Sequence, residues 1–361
     1  MSTIGIGIIG CGQIALANHV PGLALCPDTR IVALCDSAPA VLERAARQTG
    51  IAAAYSDVGA LLKRDDLHAI VIATPNVTHA PIALAAIAAG KHVLCEKPIA
   101  MDLEQAMAMY RAAQAAGVRH MTAFTYRFVP AMRYMAKLVR EGAIGRPIHF
   151  RAQRFQDWGD RALGWRQVRE QAGSGELGDM LSHRLDYGYW LVGAIARLVA
   201  NTTTFHATRG GARSDVDDWV AVLADFAPGA TGVWESTKLA SGHGEGALSH
   251  DWCEVNGEEG TLVYRLREPH RLLRGRKGAA GLALVDVPDA MLKVVGSPRD
   301  PQQGDPLITF RYDQDFEFTD AIRGQRDCSP SLCDGVQVQA AMDAIVQSAR
   351  QRRWVDVPTV S

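Results

Sequence analysis

From residue 4 to about 124 the chain alternates short β-branched runs with alanine-rich stretches of helical period, and no other feature restricts the fold as much. A strand followed by a helix and another strand packs as a parallel βαβ unit, and repeating the unit builds a doubly wound sheet. The expected strands are residues 4–9, 31–35, 69–73, 92–95 and 118–122. Between the last two, Asp102 opens a helix with Gln105 three positions on, and Gly117 closes it, a capping-box start and a glycine stop.

The rhythm changes after residue 125. A helix is expected over 131–141, and alternating runs follow at 148–154, 219–226, 231–237, 253–255, 261–265 and 282–287. Pro228-Gly229 and Asn256-Gly257 supply tight turns, so this half should form a mostly antiparallel sheet. A last amphipathic helix over 336–350 is expected to return to the first domain. With 361 residues the chain exceeds one ordinary core. The reading is an α/β protein: a Rossmann-type, doubly wound domain over 1–124 and a second α/β domain with the larger sheet over 125–361.

Charge narrows the partners. With 38 Lys and Arg against 39 Asp and Glu, and no block of one sign, neither nucleic acid nor an anionic membrane surface is an expected partner. No secretion signal is read ahead of Ile4, and no apolar run approaches the roughly 18 residues that cross a bilayer. Seven cysteines without a CxxC pair point to reduced thiols in a cytoplasmic setting, with neither a disulfide framework nor a zinc site.

The first strand runs into Gly10-Cys11-Gly12-Gln13-Ile14-Ala15, a GxGxxA turn that opens a helix. The glycines allow a tight turn and close approach of a pyrophosphate, whose charge meets the unpaired N–H groups of the helix start. About 24 residues beyond Gly12, Asp36 ends the next strand, where a carboxylate holds a ribose 2′-OH and repels a 2′-phosphate. NAD is therefore expected rather than NADP. Asp36 also suits a cap for the helix beginning at Pro39, so both duties stand. Thr74-Pro75-Asn76 and Glu96-Lys97-Pro98 follow two further strands, at the edge where such sheets bind ligands.

Taken with His79, Tyr126-Arg127-Phe128 and the stretch Gly173-Ser174-Gly175-Glu176-Leu177-Gly178-Asp179-Met180-Leu181-Ser182-His183-Arg184-Leu185-Asp186, these motifs resemble the Gfo/Idh/MocA family over nearly the whole length. The resemblance implies a Rossmann domain plus an open sheet domain that often oligomerises, here as a homodimer or homotetramer through that sheet. It implies cofactor contacts from Gly10, Gly12, Gln13, Ile14, Asp36, Thr74, Pro75, Asn76, His79, Glu96, Lys97 and Pro98. It also implies oxidation of a hydroxyl on a sugar, anhydrosugar or cyclitol, or the reverse reduction. Lys97 would contact the substrate hydroxyl and the nicotinamide ribose, stabilising a developing alkoxide. His183 would be the general base, with Asp179 beside it in the catalytic pair.

If 177–191 is helical, Asp179, His183 and Asp186 share one face and can present a base and a carboxylate together, or simply an Asp-His pair that stabilises the helix. No second histidine at ligand spacing supports a metal there. Tyr126, Arg127, Gln156, Asp157 and Trp158 are candidate substrate contacts, and Trp165 and Arg166 are placed toward the cofactor. The two tryptophan segments mix aromatic faces with hydrogen-bonding groups, as a sugar ring needs, although a packed loop would use the same residues. The glycine-rich stretch 242–246 is read as a hairpin tip or a pocket wall. Many relatives have glycine where this chain has Leu181, which implies a narrower pocket. The same parts also allow an NAD-retaining glycosidase working by transient oxidation, or a dinucleotide-binding sensor without catalysis.

Overall fold

The computed structural model describes residues 3–360, which divide into two compact units. The first runs to Thr125 and includes Lys293–Val336; the second comprises Tyr126–Leu292 and the residues from Gln337 onward.

In the first unit β1 (Ile4–Ile9), β2 (Thr29–Cys35), β3 (Ala54–Tyr55), β4 (Ala69–Ile72), β5 (His92–Cys95) and β6 (His120–Thr122) pair in the order β3-β2-β1-β4-β5-β6, parallel throughout. The strands are apolar without alternation because helices cover both faces: Ile6, Ile8, Leu34, Ile70, Val71 and Leu94 expose nothing. Chain order reverses between β1 and β4, so the loops after these strands open on the edge where doubly wound sheets receive ligands. The helix Leu103–Ala116 is capped as its sequence predicts. Asp102 accepts the Gln105 N–H at 2.8 Å, and Gly117 ends the helix at φ 64°.

Residues 293–336 depart from the expected division, since they cluster with the first unit rather than the second. Helix Tyr312–Arg323 packs on helix Val20–Leu25, where Gly22 permits the approach: a Cβ there would lie 2.2 Å from Asp315 Oδ2. Thr122 Oγ1 also donates to the Ser331 carbonyl at 2.8 Å. The final helix spans Leu332–Gln351 and is shared. Its start is held in the first unit, where the Leu332 N–H meets His120 Nδ1 at 3.2 Å. From Gln337 it belongs to the second, where Ser348 Oγ accepts the Ala200 N–H at 2.9 Å. Amphipathic period shows that a helix has an apolar face, and leaves open which core covers it.

The second unit is built on β7 (Pro147–Phe155), β8 (Ile195–Thr203), the short pair β9 (Thr208–Arg209) and β10 (Ala212–Arg213), β11 (Trp219–Phe226), β12 (Thr231–Thr237), β13 (His250–Gly257), β14 (Gly260–Arg265), β15 (Arg271–Arg276), β16 (Ala283–Asp286) and β17 (Val355–Asp356). All but the β9–β10 pair join one sheet, ordered β16-β15-β14-β13-β7-β12-β11-β8-β17. Only β7 and β12 run parallel within it, among the described residues. Burial alternates along β11, β12 and β13, so Phe150, Val220, Val222, Trp234, Cys253 and Val255 form one covered face. Helices Pro130–Arg140 and Ser182–Leu191 cover that face, and the Trp234 indole N–H donates to the Arg184 carbonyl at 2.8 Å. No helix among the described residues is long and apolar enough to cross a membrane.

Candidate active site

In the first unit the chain leaves β1 at Gly10, whose φ of 89° is one that L side chains rarely adopt. A Cβ there would fall 2.6 Å from the Ala73 carbonyl, so this glycine brings the turn against the loop after β4. Gly12 faces open space, with no neighbour within 4 Å of a built Cβ, and Gln13 and Ile14 beside it keep exposed surface. A π-helical turn, Ala15–His19, then leads into helix Val20–Leu25.

Asp36 accepts the Cys11 N–H at 2.8 Å on Oδ2 and the Ala38 N–H at 2.9 Å on Oδ1. The cap of helix Pro39–Thr49 is Ala38, so Asp36 braces the glycine turn instead of capping. Each of its oxygens retains a lone pair for a ribose hydroxyl. Burial, then the Asp36 charge, pushes the neighbouring Cys11 thiol up to about 12, which keeps it neutral.

After β4, Thr78 Oγ1 donates to Thr74 Oγ1 at 2.7 Å, Pro75 precedes the turn Asn76–Thr78, and Asn76 is buried. His79 is buried beneath them. Its Nδ1 lies 2.8 Å from the Pro98 carbonyl and its Nε2 2.9 Å from the Thr74 carbonyl, so the ring joins the loops after β4 and β5. Both nitrogens are occupied by main chain, and burial lowers the pKa. Glu96 Oε1 lies 3.0 Å from His19 Nε2, and Oε2 accepts the Lys97 N–H at 3.3 Å. Lys97 is half-buried between Glu96 and Pro98.

In the second unit the stretch 177–191 is helical, as expected, but its first turn, Leu177–Leu181, is π-helical. Such turns concentrate at functional sites because they re-aim side chains. Asp179 stands at the wetter end, its side chain 19% exposed, with Arg166 Nε 4.0 Å away. His183 is buried and meets the Tyr126 ring edge-on, centroids 4.7 Å apart, while Arg184 lies over the same Tyr126 ring at 4.9 Å. Asp186 faces Arg127 in a two-pronged buried pair at 2.8 and 2.5 Å. Arg127 is thus a strut between the turn Thr125–Phe128 and the His183 helix.

The loop candidates separate in the same way. Gln156 is fully buried, its Oε1 accepting from Arg154 at 3.3 Å, so it supports the sheet end. Asp157 accepts the Gly242 N–H at 3.0 Å and braces the glycine-rich stretch, which forms the connection between β12 and β13. Trp158 lies between Arg161, at 5.1 Å, and the Lys238 ammonium, at 5.8 Å, and Trp165 stacks under Arg166 at 4.4 Å. Both indoles keep part of their surface exposed.

Three buried ionisable residues had no local signal. Glu176 precedes the π turn and is wholly buried; burial pushes its carboxyl up to about 7 against the pull of Lys238 and of Ser236, whose hydroxyl donates at 2.5 Å. Lys238, at the end of β12, is 1% exposed. His19 is the third.

The first-unit residues fit a dinucleotide: an open glycine at a helix start and a carboxylate with acceptor capacity at the next strand end. Comparison with known proteins agrees. Residues 4–124 match the model described as an oxidoreductase family with an NAD-binding Rossmann fold, and 132–263 match the GFO/IDH/MocA C-terminal domain. Levoglucosan dehydrogenase of Pseudarthrobacter phenanthrenivorans is 34% identical, with 100% of both chains covered. Inositol 2-dehydrogenase of Ralstonia nicotianae is 28% identical over 96% of this chain and 94% of its own. A solved levoglucosan dehydrogenase in complex with NADH and L-sorbose superposes with a TM-score of 0.92 at 34% identity, covering 100% of both chains. The chain belongs to the Gfo/Idh/MocA family and is an NAD-dependent oxidoreductase.

Proposed function

We propose that the protein oxidises a ring hydroxyl of an anhydrosugar, or of a closely related sugar or cyclitol, to a ketone, and runs the reverse reduction. The observation that carries this is the end-to-end likeness to levoglucosan dehydrogenase, in a chain that holds a lysine at the β5 end and an Asp-His pair on a π-opened helix. NAD, when bound, supplies the hydride acceptor.

Lys97 stabilises the negative charge that develops on the substrate oxygen, an interaction that strengthens toward the transition state. His183 takes the hydroxyl proton and returns it in the reverse direction; the edge-on Tyr126 ring fixes the imidazole plane. Asp179 accepts a second ring hydroxyl, Trp158 offers an apolar face to the ring, and Trp165 with Arg166 serves the cofactor side. Asp36, braced by two N–H groups, holds the adenosine ribose and disfavours NADP. His79 serves the cofactor edge through the loops it ties. The outer sheet face, with Leu223 51% exposed and Val233 36% exposed, forms a homodimer or homotetramer, which sedimentation equilibrium checks.

The test is NAD reduction measured across levoglucosan, other sugars and inositol, with wild-type protein and Lys97→Ala. Expected are NADH accumulation with at least one anhydrosugar and loss of about 10³-fold in turnover for the variant, with NADH binding retained. Near-wild-type turnover in Lys97→Ala would remove the lysine from the mechanism. Cleavage of a glycoside with no net NADH would replace the dehydrogenase with the redox-neutral reading. Comparable turnover with NADP would remove the role given to Asp36.

A further inference from the structure

Lys97 is flanked by residues that two buried histidines hold, and the histidines differ in the charge they face. His79 faces two carbonyls. His19 faces two carboxylates: Nε2 lies 3.0 Å from Glu96 Oε1 and Nδ1 2.8 Å from Asp315 Oδ1, and the ring is 0% exposed. Carbonyl and carboxylate oxygens alike only accept, but around His19 two negative charges, which His79 lacks, offset the cost of burying a ring whose two nitrogens both donate, the imidazolium. A neutral ring would leave two carboxylates buried with one donor between them, or force a proton onto one of them.

We propose that His19 is a positioning residue, charged throughout the neutral pH range, whose imidazolium pins Glu96 and through Glu96 the main chain of Lys97. The path is short. Glu96 gives one oxygen to His19 and the other to the Lys97 N–H at 3.3 Å, so a displaced Glu96 carries the lysine peptide with it. His19 ends the π turn that follows the glycine turn, and Asp315 arrives on helix Tyr312–Arg323, which completes this support within the first unit. Gly22 leaves room for the Asp315 carboxylate, since a Cβ there would lie 2.2 Å from its Oδ2.

The charges facing the ring come from both elements packed on it. Glu96 is itself held below the usual carboxylate range, against its burial, by His19, Lys97 and His79. Asp315 sits beside the buried Cys26 thiol, which stays neutral because burial and the Asp315 charge raise it to about 12. Burial alone would lower the His19 pKa; Asp315 and Glu96 reverse this and bring it to about 10.

The inference rests on the role proposed for Lys97, and two measurements keep the two separable. In ¹⁵N-histidine-labelled protein, with the His19 signal identified by its loss in His19→Gln, both ring nitrogens should remain protonated from about pH 6 to about pH 8.5. A ring that titrates near its ordinary 6.5, or a single tautomer across that range, overturns the assignment whatever Lys97 does. In kinetics, His19→Gln and Glu96→Gln should each lower kcat about 10- to 100-fold while the Kd for NADH stays within about threefold. The double variant should be no worse than the poorer single one, because both break one path. Losses that multiply, or a kcat unchanged in folded His19→Gln well below its melting temperature, would leave His19 a purely structural residue. Should His19→Gln fail to fold, Asp315→Asn keeps the shape, removes one charge, and is read the same way. Full turnover in Lys97→Ala would instead sink the mechanism, with the labelled spectra still deciding the charge of His19.

Discussion

Each unit holds one buried charge cluster, and the two clusters are built in opposite senses. In the first, one imidazole stands between two carboxylates, Glu96 and Asp315. In the second, one carboxylate, Asp251, stands between two arginines, with Arg154 Nη1 at 2.9 Å, Arg184 Nε at 3.2 Å and a further contact from Arg184 Nη2. All three of those side chains are within 4% of full burial. A single ion pair seldom repays the loss of water around two charges, and the central group of each cluster, His19 or Asp251, has two partners. The lesson lies in what can titrate. A guanidinium keeps its proton at any pH an enzyme meets, whereas an imidazolium has one to lose. The lysine half is thus supported by a titratable group, and the His183 helix, through Arg184, by one that does not titrate.

The largest expected effect falls on the chemistry of the two halves. His183→Ala should lower kcat about 10²- to 10⁴-fold, the range of a lost general base, with NADH affinity unchanged by fluorescence titration. Retained turnover would mean that only the first half works.

Next comes stability. Asp251→Asn leaves Arg154 and Arg184 buried without their shared anion, and should cost about 3–5 kcal/mol in chemical denaturation. A loss under about 1 kcal/mol would show the cluster to be hydrated, and the contrast between the units would disappear.

The pH dependence sharpens the same contrast. The folded pKa of His19 is raised from 6.5 to about 10, so its contribution is fully present below pH 6.5 and is lost as pH rises through about 10. The stability gap between wild type and His19→Gln should therefore shrink over that interval. The gap for Asp251→Asn should stay constant there, since the arginines do not titrate.

The smallest effect concerns Glu176. Its pKa is raised from 4.5 to about 7, so the folded protein binds a proton that the unfolded chain has released, and stability falls as pH rises between those values. Glu176→Gln avoids that fall. It should gain on wild type across pH 4.5 to 7 in thermal melts, and a gap that does not move with pH would place Glu176 in a polar setting.

Much of the fold was legible before any coordinate. The βαβ rhythm, the Gly10–Gly12 turn, Asp102 and Gly117 at a helix's two ends, and the antiparallel runs at β11 and β12 are all encoded within a few residues. Strands β8 and β15 were missed. Along β8 burial does not alternate cleanly, so pairing with β11 rather than period makes it a strand.

The site divided along the same line. Sequence alone determined that Lys97 follows a strand end, that Asp36 follows the strand after the glycine turn, and that Asp179 and His183 share a helix, because periodicity and turn chemistry are local. Only the tertiary structure decided that Arg127 is taken by Asp186, 59 residues away, and that Gln156 lies inside. It alone gave His19 its partners, 77 and 296 residues distant, and returned residues 293–336 to the first unit. A side chain's charge state is settled by what it meets once water has left, and no short stretch of sequence carries the address of a partner that distant chain folding will supply.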